Sequence, residues 1–347
     1  MGSVDWNGNE VANALDLDLG LNLDLTSAAT FAAKPLVDSL KAQGFVRSHS
    51  GWPKGTRGEA VGTQLSILNS QLFSTERNFP MSIRMIAIDL DGTLLHDDMS
   101  ISEYSRQVIR RASEAGYRVV VATGRMWDSA QRKVKSLHLG NVPLICYTGA
   151  WIMMSETGEP LLQQGLDPKL ASDILLESKR QGWQATSFMD DLIYMDAPNG
   201  TEVKYAKYRS KKPIFVGEEF YHPKKLVTRI VFADPSAEKR NEIRRAVEEK
   251  FGPHVDVVFP GDDFVDVHKK GVNKAEAVRF LCEKEGISTD EVMAFGNTEN
   301  DVPLLKMAGL SYAVANADEV AKKAASHLCL SNEEDGVAKE IEKLLDR

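Results

Sequence analysis

Met85-Ile86-Ala87-Ile88-Asp89-Leu90-Asp91-Gly92-Thr93-Leu94-Leu95 decides the fold. Its first four residues read as a short buried strand, which runs out into two carboxylates on alternate residues, a turn glycine and a hydroxyl. In an open α/β sheet, ligands gather where strands stop at their carboxyl edge, so a reactive group is expected at this strand end. Side chains alternate along an extended backbone, which leans Asp89 and Asp91 the same way and calls for a cation beside their charges. A hard cation of the Mg²⁺ type suits carboxylate oxygens. It leaves one Asp ionised as a nucleophile while its neighbour handles protons.

Three further segments end in the same manner. Tyr117-Arg118-Val119-Val120-Val121-Ala122 reads as a second buried strand and delivers Thr123-Gly124-Arg125 to the sheet edge. A hydroxyl followed by a glycine N–H at the start of a helix is a natural holder of phosphate oxygens. Lys269-Lys270-Gly271-Val272-Asn273-Lys274 opens a helix with a lysine in its first turn, where the helix dipole disfavours a cation, so Lys274 is expected to face an anion. A strand at Glu291-Val292-Met293-Ala294-Phe295 leads into Gly296-Asn297-Thr298-Glu299-Asn300-Asp301, followed by a helix from Val302 to Met307.

Taken in order, these four segments resemble the four motifs of the haloacid dehalogenase superfamily, the first matching its Asp-x-Asp-Gly-Thr pattern. The resemblance implies that Asp89 is the nucleophile, and that Asp91 protonates the leaving oxygen and then activates water. It assigns the phosphate to Thr123, Gly124, Lys274 and Asn300, with Asp301 orienting Lys274 or a metal-bound water. It places Mg²⁺ on Asp89, Asp91 (through its main-chain carbonyl) and Asn297. Two positions depart from the pattern. The fourth motif usually reads Gly-Asp-x-x-Asn-Asp, and this chain has Asn297 in place of the first Asp; Tyr147-Thr148-Gly149-Ala150 stands where close relatives have Asn-Gly-Ala. The implied activity is a Mg²⁺-dependent phosphatase of small phosphomonoesters, sugar phosphates or phosphorylated cofactors, acting through an aspartyl-phosphate. A phosphohexomutase of the same superfamily and a non-catalytic phosphate-binding or regulatory protein are the alternatives.

From Met81 onward strand and helix alternate, the sign of a doubly wound parallel sheet of the Rossmann-like kind. The alternation breaks once. Residues 81–165 and 267–347 read as the core, and 166–266 as an inserted α+β module. That module has a helix from Pro168 to Gln181, strands near 186–189, 192–195, 227–232, 255–259 and 264–267, and a helix from Ala237 to Phe251. Its place and length resemble the cap of the Cof-like branch, which implies that it sets substrate specificity. Met189, Asp190, Asp191, Tyr194, Lys204, Tyr205 and Tyr208 are its candidate pocket residues, with a packing role as the competing reading.

Residues 1–80 are expected to be a disordered extension, a gene-model artefact or an accessory segment of the enzyme. Their run Leu15-Asp16-Leu17-Asp18-Leu19-Gly20-Leu21-Asn22-Leu23-Asp24-Leu25 is of low complexity and carries no chemistry. Composition bounds the rest. A net charge of −8 with no long basic run argues against a nucleic-acid partner, and the apolar runs are too short for a membrane span. Cys146, Cys282 and Cys329 are widely spaced, as reduced thiols of a cytoplasmic protein would be.

Overall fold

The computed structural model describes residues 83–200, 211–259 and 263–346. Residues 1–80, and Lys204, Tyr205 and Tyr208, lie outside the described residues.

The described residues open as β1 (Met85–Ile88), α1 (Glu103–Glu114), β2 (Arg118–Ala122), α2 (Trp127–Lys135) and β3 (Pro143–Cys146), then form a hairpin of β4 (Trp151–Met154) and β5 (Pro160–Gln163). A second group follows: α3 (Pro168–Gln181), β6 (Ala185–Met189), β7 (Leu192–Met195), β8 (Ile214–Phe215), β9 (Arg229–Ala233), α4 (Ala237–Phe251), β10 (Val255–Val258) and β11 (Phe264–Lys269). The last group is α5 (Lys274–Glu285), β12 (Val292–Gly296), α6 (Val302–Met307), β13 (Leu310–Val314), α7 (Glu319–Ala324), β14 (His327–Cys329) and α8 (Gly336–Leu345).

Among the described residues the first sheet has the order β14-β13-β12-β1-β2-β3-β4-β5. Its strands are parallel from β14 to β3, and β4 and β5 run antiparallel. Every residue of β1 is buried, as a strand covered on both faces requires. Ile86 and Ile88 join the apolar cluster on one face, with Val108 and Ile109 of α1, Ala130 and Val134 of α2, and Ile341 of α8. Met85 and Ala87 join the other, with Ala275, Val278 and Leu281 of α5. The fold is therefore α/β, with a parallel sheet covered by helices on both faces.

The second sheet has the order β10-β11-β9-β6-β7-β8. On one side Ile230, Phe232, Val265 and Val267 pack with Ala171, Ile174 and Leu175 of α3 and Ile243 and Val247 of α4. On the other, Phe188, Ile193 and Val231 pack with Tyr147 and Trp151 of the first layer. Helix α3 ends as its sequence requires: Asp167 accepts hydrogen bonds from Lys169 N and Leu170 N, Pro168 occupies the first turn, and Gly182 closes the helix at φ 70°. Strand β11 continues beyond Val267 to Lys269, and the chain turns back at Gly271, φ 78°, so the return to the first sheet comes a few residues later than the hydropathy suggests.

Candidate active site

Register brings the site together. Ile88 pairs with Val121 on one side and with Phe295 on the other, so three neighbouring parallel strands stop almost level. Asp89, Thr123 and Asn297 follow those strand ends side by side. Strand β1 is also where the order reverses, since the chain passes from β1 to β2 in one direction and reaches β12 and β13 on the other side. A crevice at such a switch point is the expected ligand site of an open α/β sheet.

Asp89 is buried, and its Oδ1 accepts a hydrogen bond of 2.6 Å from Lys274 Nζ. The same ammonium donates to Asp301 Oδ1 at 2.6 Å, while Asp301 Oδ2 accepts from Asn297 N and Thr298 N. Asp301 thus fixes Lys274 and the turn after β12 together. Burial and the Asp301 carboxylate, with a smaller push from Asp91, drive the Asp89 carboxyl up to about 7 against the pull of Lys274. Burial works to lower Lys274, but Asp301 and Asp89 outweigh it and hold its pKa above the usual value. Two carboxylates surround one ammonium, so Lys274 keeps its proton and Asp89 is left with charge that a further cation would balance.

Asp91 goes elsewhere. Strand β1 ends at Ile88, and the chain leaves it in an irregular turn with Gly92 at φ 71°, so the alternation expected through Asp91 stops short. Arg125 grips Asp91 with two parallel bonds, Nε to Oδ2 at 2.8 Å and Nη2 to Oδ1 at 2.5 Å. The Asp91 side chain keeps 38% of its surface, enough to meet a substrate, while Arg125 keeps 9%. Sequence reading missed this arginine as a functional residue. Its position directly after Thr123-Gly124 was the available signal.

Two of the phosphate-binding candidates, Thr123 and Asn300, lie at Gly124. Thr123 is fully buried and its Oγ1 accepts from Arg125 N at 3.1 Å. A Cβ on Gly124 would stand 3.3 Å from Thr148 Oγ1 and 3.9 Å from Asn300 Nδ2. Asn300 is oriented by Thr298, whose hydroxyl donates to Asn300 Oδ1 at 2.7 Å. Thr148 holds a left-handed backbone, φ 57°, after Tyr147 at φ 50°. Glycine or asparagine takes that conformation readily, but a β-branched side chain there costs on the order of 1–3 kcal/mol.

The residues present suit a hard cation. Asn297 Oδ1 is buried with no hydrogen-bond partner among the described residues, beside the turn that carries Asp91, and its amide would collide with a Cβ at Gly92. Among the described residues no group of three His, Cys, Asp or Glu side chains is gathered for a metal, so a cation here would rest on Asp89, Asp91 and the Asn297 amide oxygen. The cysteines play no part. All three are buried and free, and burial pushes Cys146 well up, Cys282 to about 11 and Cys329 to about 12.

The other candidates divide. Asp191, at the β6–β7 turn, accepts bonds from Trp127 N and Asp128 N at the start of α2 and from Tyr147 Oη. Met189 and Tyr194 pack against the second layer's own cluster, and Asp190 pairs with Lys225 at the surface.

The sequence profile of the haloacid dehalogenase-like hydrolases matches residues 86–341, most of the chain. The chain belongs to that family. Among relatives of this haloacid dehalogenase-like hydrolase is a 5-amino-6-(5-phospho-D-ribitylamino)uracil phosphatase of Bacillus subtilis, 29% identical over 75% of this chain and 95% of its own length. A pyridoxal phosphate phosphatase of Escherichia coli is 26% identical over 75% and 98%. The chain also matches a chloroplastic endoribonuclease of Arabidopsis thaliana, 28% identical, but spans only 45% of that protein's length. A Thermotoga maritima crystal structure superposes with a TM-score of 0.66 at 31% identity, covering 76% of this chain and 97% of its own. The second-layer insertion, the Asp89–Lys274–Asp301 cluster and the three level strand ends all lie inside the span this family matches.

Proposed function

We propose that this hydrolase is a Mg²⁺-dependent phosphatase that transfers the phosphoryl group of a small phosphomonoester to Asp89 and then to water. The observation that carries the proposal is the buried Asp89 carboxylate, 2.6 Å from Lys274, at the level end of three parallel strands. Asp89 attacks phosphorus in line, and the bond to the leaving oxygen breaks as Asp91 gives that oxygen a proton. Arg125 aims Asp91 and returns it to the same position after each transfer. Water then attacks the aspartyl-phosphate and loses a proton to Asp91, which frees phosphate and Asp89. Thr123 and Asn300, with the Gly124 N–H, are positioned for the phosphoryl oxygens, and Lys274 offsets their charge. A Mg²⁺ held by Asp89, Asp91 and Asn297 would supply further positive charge at the phosphoryl group. The layer carrying β6–β11 closes over the crevice as the cap, with residues 81–165 and 267–347 as the catalytic core. No helix among the described residues is long and apolar enough to cross a membrane, and the buried free thiols suit a cytoplasmic enzyme.

Phosphate release from a panel of sugar phosphates, flavin mononucleotide, pyridoxal phosphate and an aryl phosphate, with Mg²⁺ and with chelator, tests the proposal. Turnover that requires Mg²⁺ is expected. The missing Asp at 297 favours one second reading, a phosphate-binding protein without turnover, and failure to hydrolyse even the activated aryl ester would select it.

A further inference from the structure

Asp191 belongs to the second layer, yet its side chain serves the first. Met189 pairs with Leu192, so Asp190 and Asp191 form a two-residue hairpin turn, both in the left-handed region at φ 50° and 57°. The turn carries the Asp191 carboxylate to the start of α2, where the residue is 6% exposed. Helix α2 opens on Met126, which makes no side-chain capping bond to the first turn. Asp191 supplies the cap instead. Its Oδ1 accepts from Trp127 N at 3.0 Å and its Oδ2 from Asp128 N at 3.2 Å, so the helix is capped by a residue of another sheet.

The same carboxylate brackets Arg125. Trp127 stands two residues after it in the chain. On its other side, Tyr147 N donates to Arg125 O at 3.0 Å while Tyr147 Oη donates to Asp191 Oδ1 at 2.8 Å. The guanidinium also leans on the capped helix, with Nη1 donating to Ser129 Oγ at 3.3 Å. Lys211 Nζ holds the carboxylate in turn, donating to Asp191 Oδ2 at 2.8 Å and to its main-chain oxygen at 2.9 Å. These contacts end at the chemistry, because Arg125 grips both oxygens of Asp91. A misplacement of about 1 Å at a reacting group can cost about a hundredfold in rate.

We propose that Asp191 is a positioning residue of the reaction: by capping α2 and holding Tyr147 it fixes Arg125, and through Arg125 it sets the Asp91 carboxyl against the leaving oxygen. The inference deepens the phosphatase reading above and rests on it.

The test compares kcat/KM for phenyl phosphate and 4-nitrophenyl phosphate, esters of similar shape whose leaving oxygens differ in their need for a proton. Phenol titrates at about 10, as tyrosine does, whereas the nitro group stabilises the departing anion without a proton. Asp191→Gly takes up the left-handed backbone of the turn and removes the cap. It is expected to lower the phenyl-to-nitrophenyl ratio by at least about tenfold, part of the roughly hundredfold or more that a placed acid contributes. Asp191→Asn keeps a capping oxygen and suits the same backbone, and is expected to hold the ratio within about threefold of the parent. In an Arg125→Leu background, adding Asp191→Gly is expected to move the ratio by less than about threefold, since a residue that acts through Arg125 then has nothing to act on. If melting shows the glycine variant unfolded at assay temperature, Asp191→Ser is read in its place. Its single, shorter-reaching oxygen cannot hold Trp127 N and Asp128 N together, and it is expected to lower the ratio by at least about threefold. Parallel loss on both esters, an unmoved ratio, a tenfold fall in the asparagine variant, or a tenfold fall that persists without Arg125 overturns the proposal and leaves the phosphatase reading standing. A parent protein that hydrolyses neither ester overturns both.

Discussion

Asp89 sits where two requirements compete, because a nucleophile must be ionised and a buried carboxyl resists ionisation. Lys274 meets part of that demand, and its shared allegiance to Asp301 leaves the remainder for a cation. Asp89→Asn is nearly isosteric and removes the acceptor oxygen. Turnover should fall by more than about a hundredfold while the thermal unfolding transition stays close to that of the parent. Phosphate release and a melting curve check both halves, and a variant that keeps its turnover beyond deamidation would transfer the nucleophile's role elsewhere. At Asn297, Oδ1 has no hydrogen-bond partner among the described residues. Replacing Asn297 with Asp adds one carboxylate charge in the same shape, and hard cations bind more tightly as ligand charge rises. Half-saturating Mg²⁺ is expected to fall by roughly tenfold to a hundredfold. Equal Mg²⁺ titrations for the two proteins would mean that residue 297 does not touch the metal.

Between the residue and the whole molecule stands the loop after β3. Gly149, at φ 108°, lies so close to the Asn273 carbonyl that a Cβ would strike the backbone just before Lys274. The loop therefore holds the start of α5, and with it the ammonium that faces Asp89. Asn273 fixes the same end from the other side, its side chain accepting from Glu276 N at 3.0 Å. Gly149→Ala should cost more than about 1 kcal/mol and should also lower kcat, because Lys274 has to move. Gly182, at the end of α3, also has a positive φ, but among the described residues nothing lies within 4 Å of where its Cβ would stand. Gly182→Ala is expected to cost about 1 kcal/mol and leave kcat unchanged. Denaturant unfolding with steady-state kinetics on both variants separates the two cases, and an unchanged kcat in the Gly149 variant would show that the loop does not position Lys274.

At the scale of the molecule, the matches to known proteins cover about three quarters of this chain and nearly all of several relatives. The family span begins at residue 86, and residues 1–80 contain none of the groups assigned to the site. A chain beginning at Met81 should therefore hydrolyse the same esters, with kcat/KM within about threefold of the full-length protein. A steady-state comparison of the two chains decides it. Loss of activity in the shorter chain would give the first 80 residues a part in the enzyme.

By itself the sequence determined which strands end in chemistry. Asp89, Thr123, Lys274 and Asn297 each follow or open an element whose apolar pattern is continuous, and helices α3, α4 and α6 run over the bounds their caps and prolines imply. Periodicity reports which residues share an element and which face they share, so anything held within one element was legible. Partnerships between elements were not. Arg125 meets Asp91 because β1 and β2 are neighbours in register, and Asp191 reaches α2 from a turn of the second sheet. Tertiary structure decided these contacts, since each depends on the relative placement of two elements, which the pattern along either one does not encode.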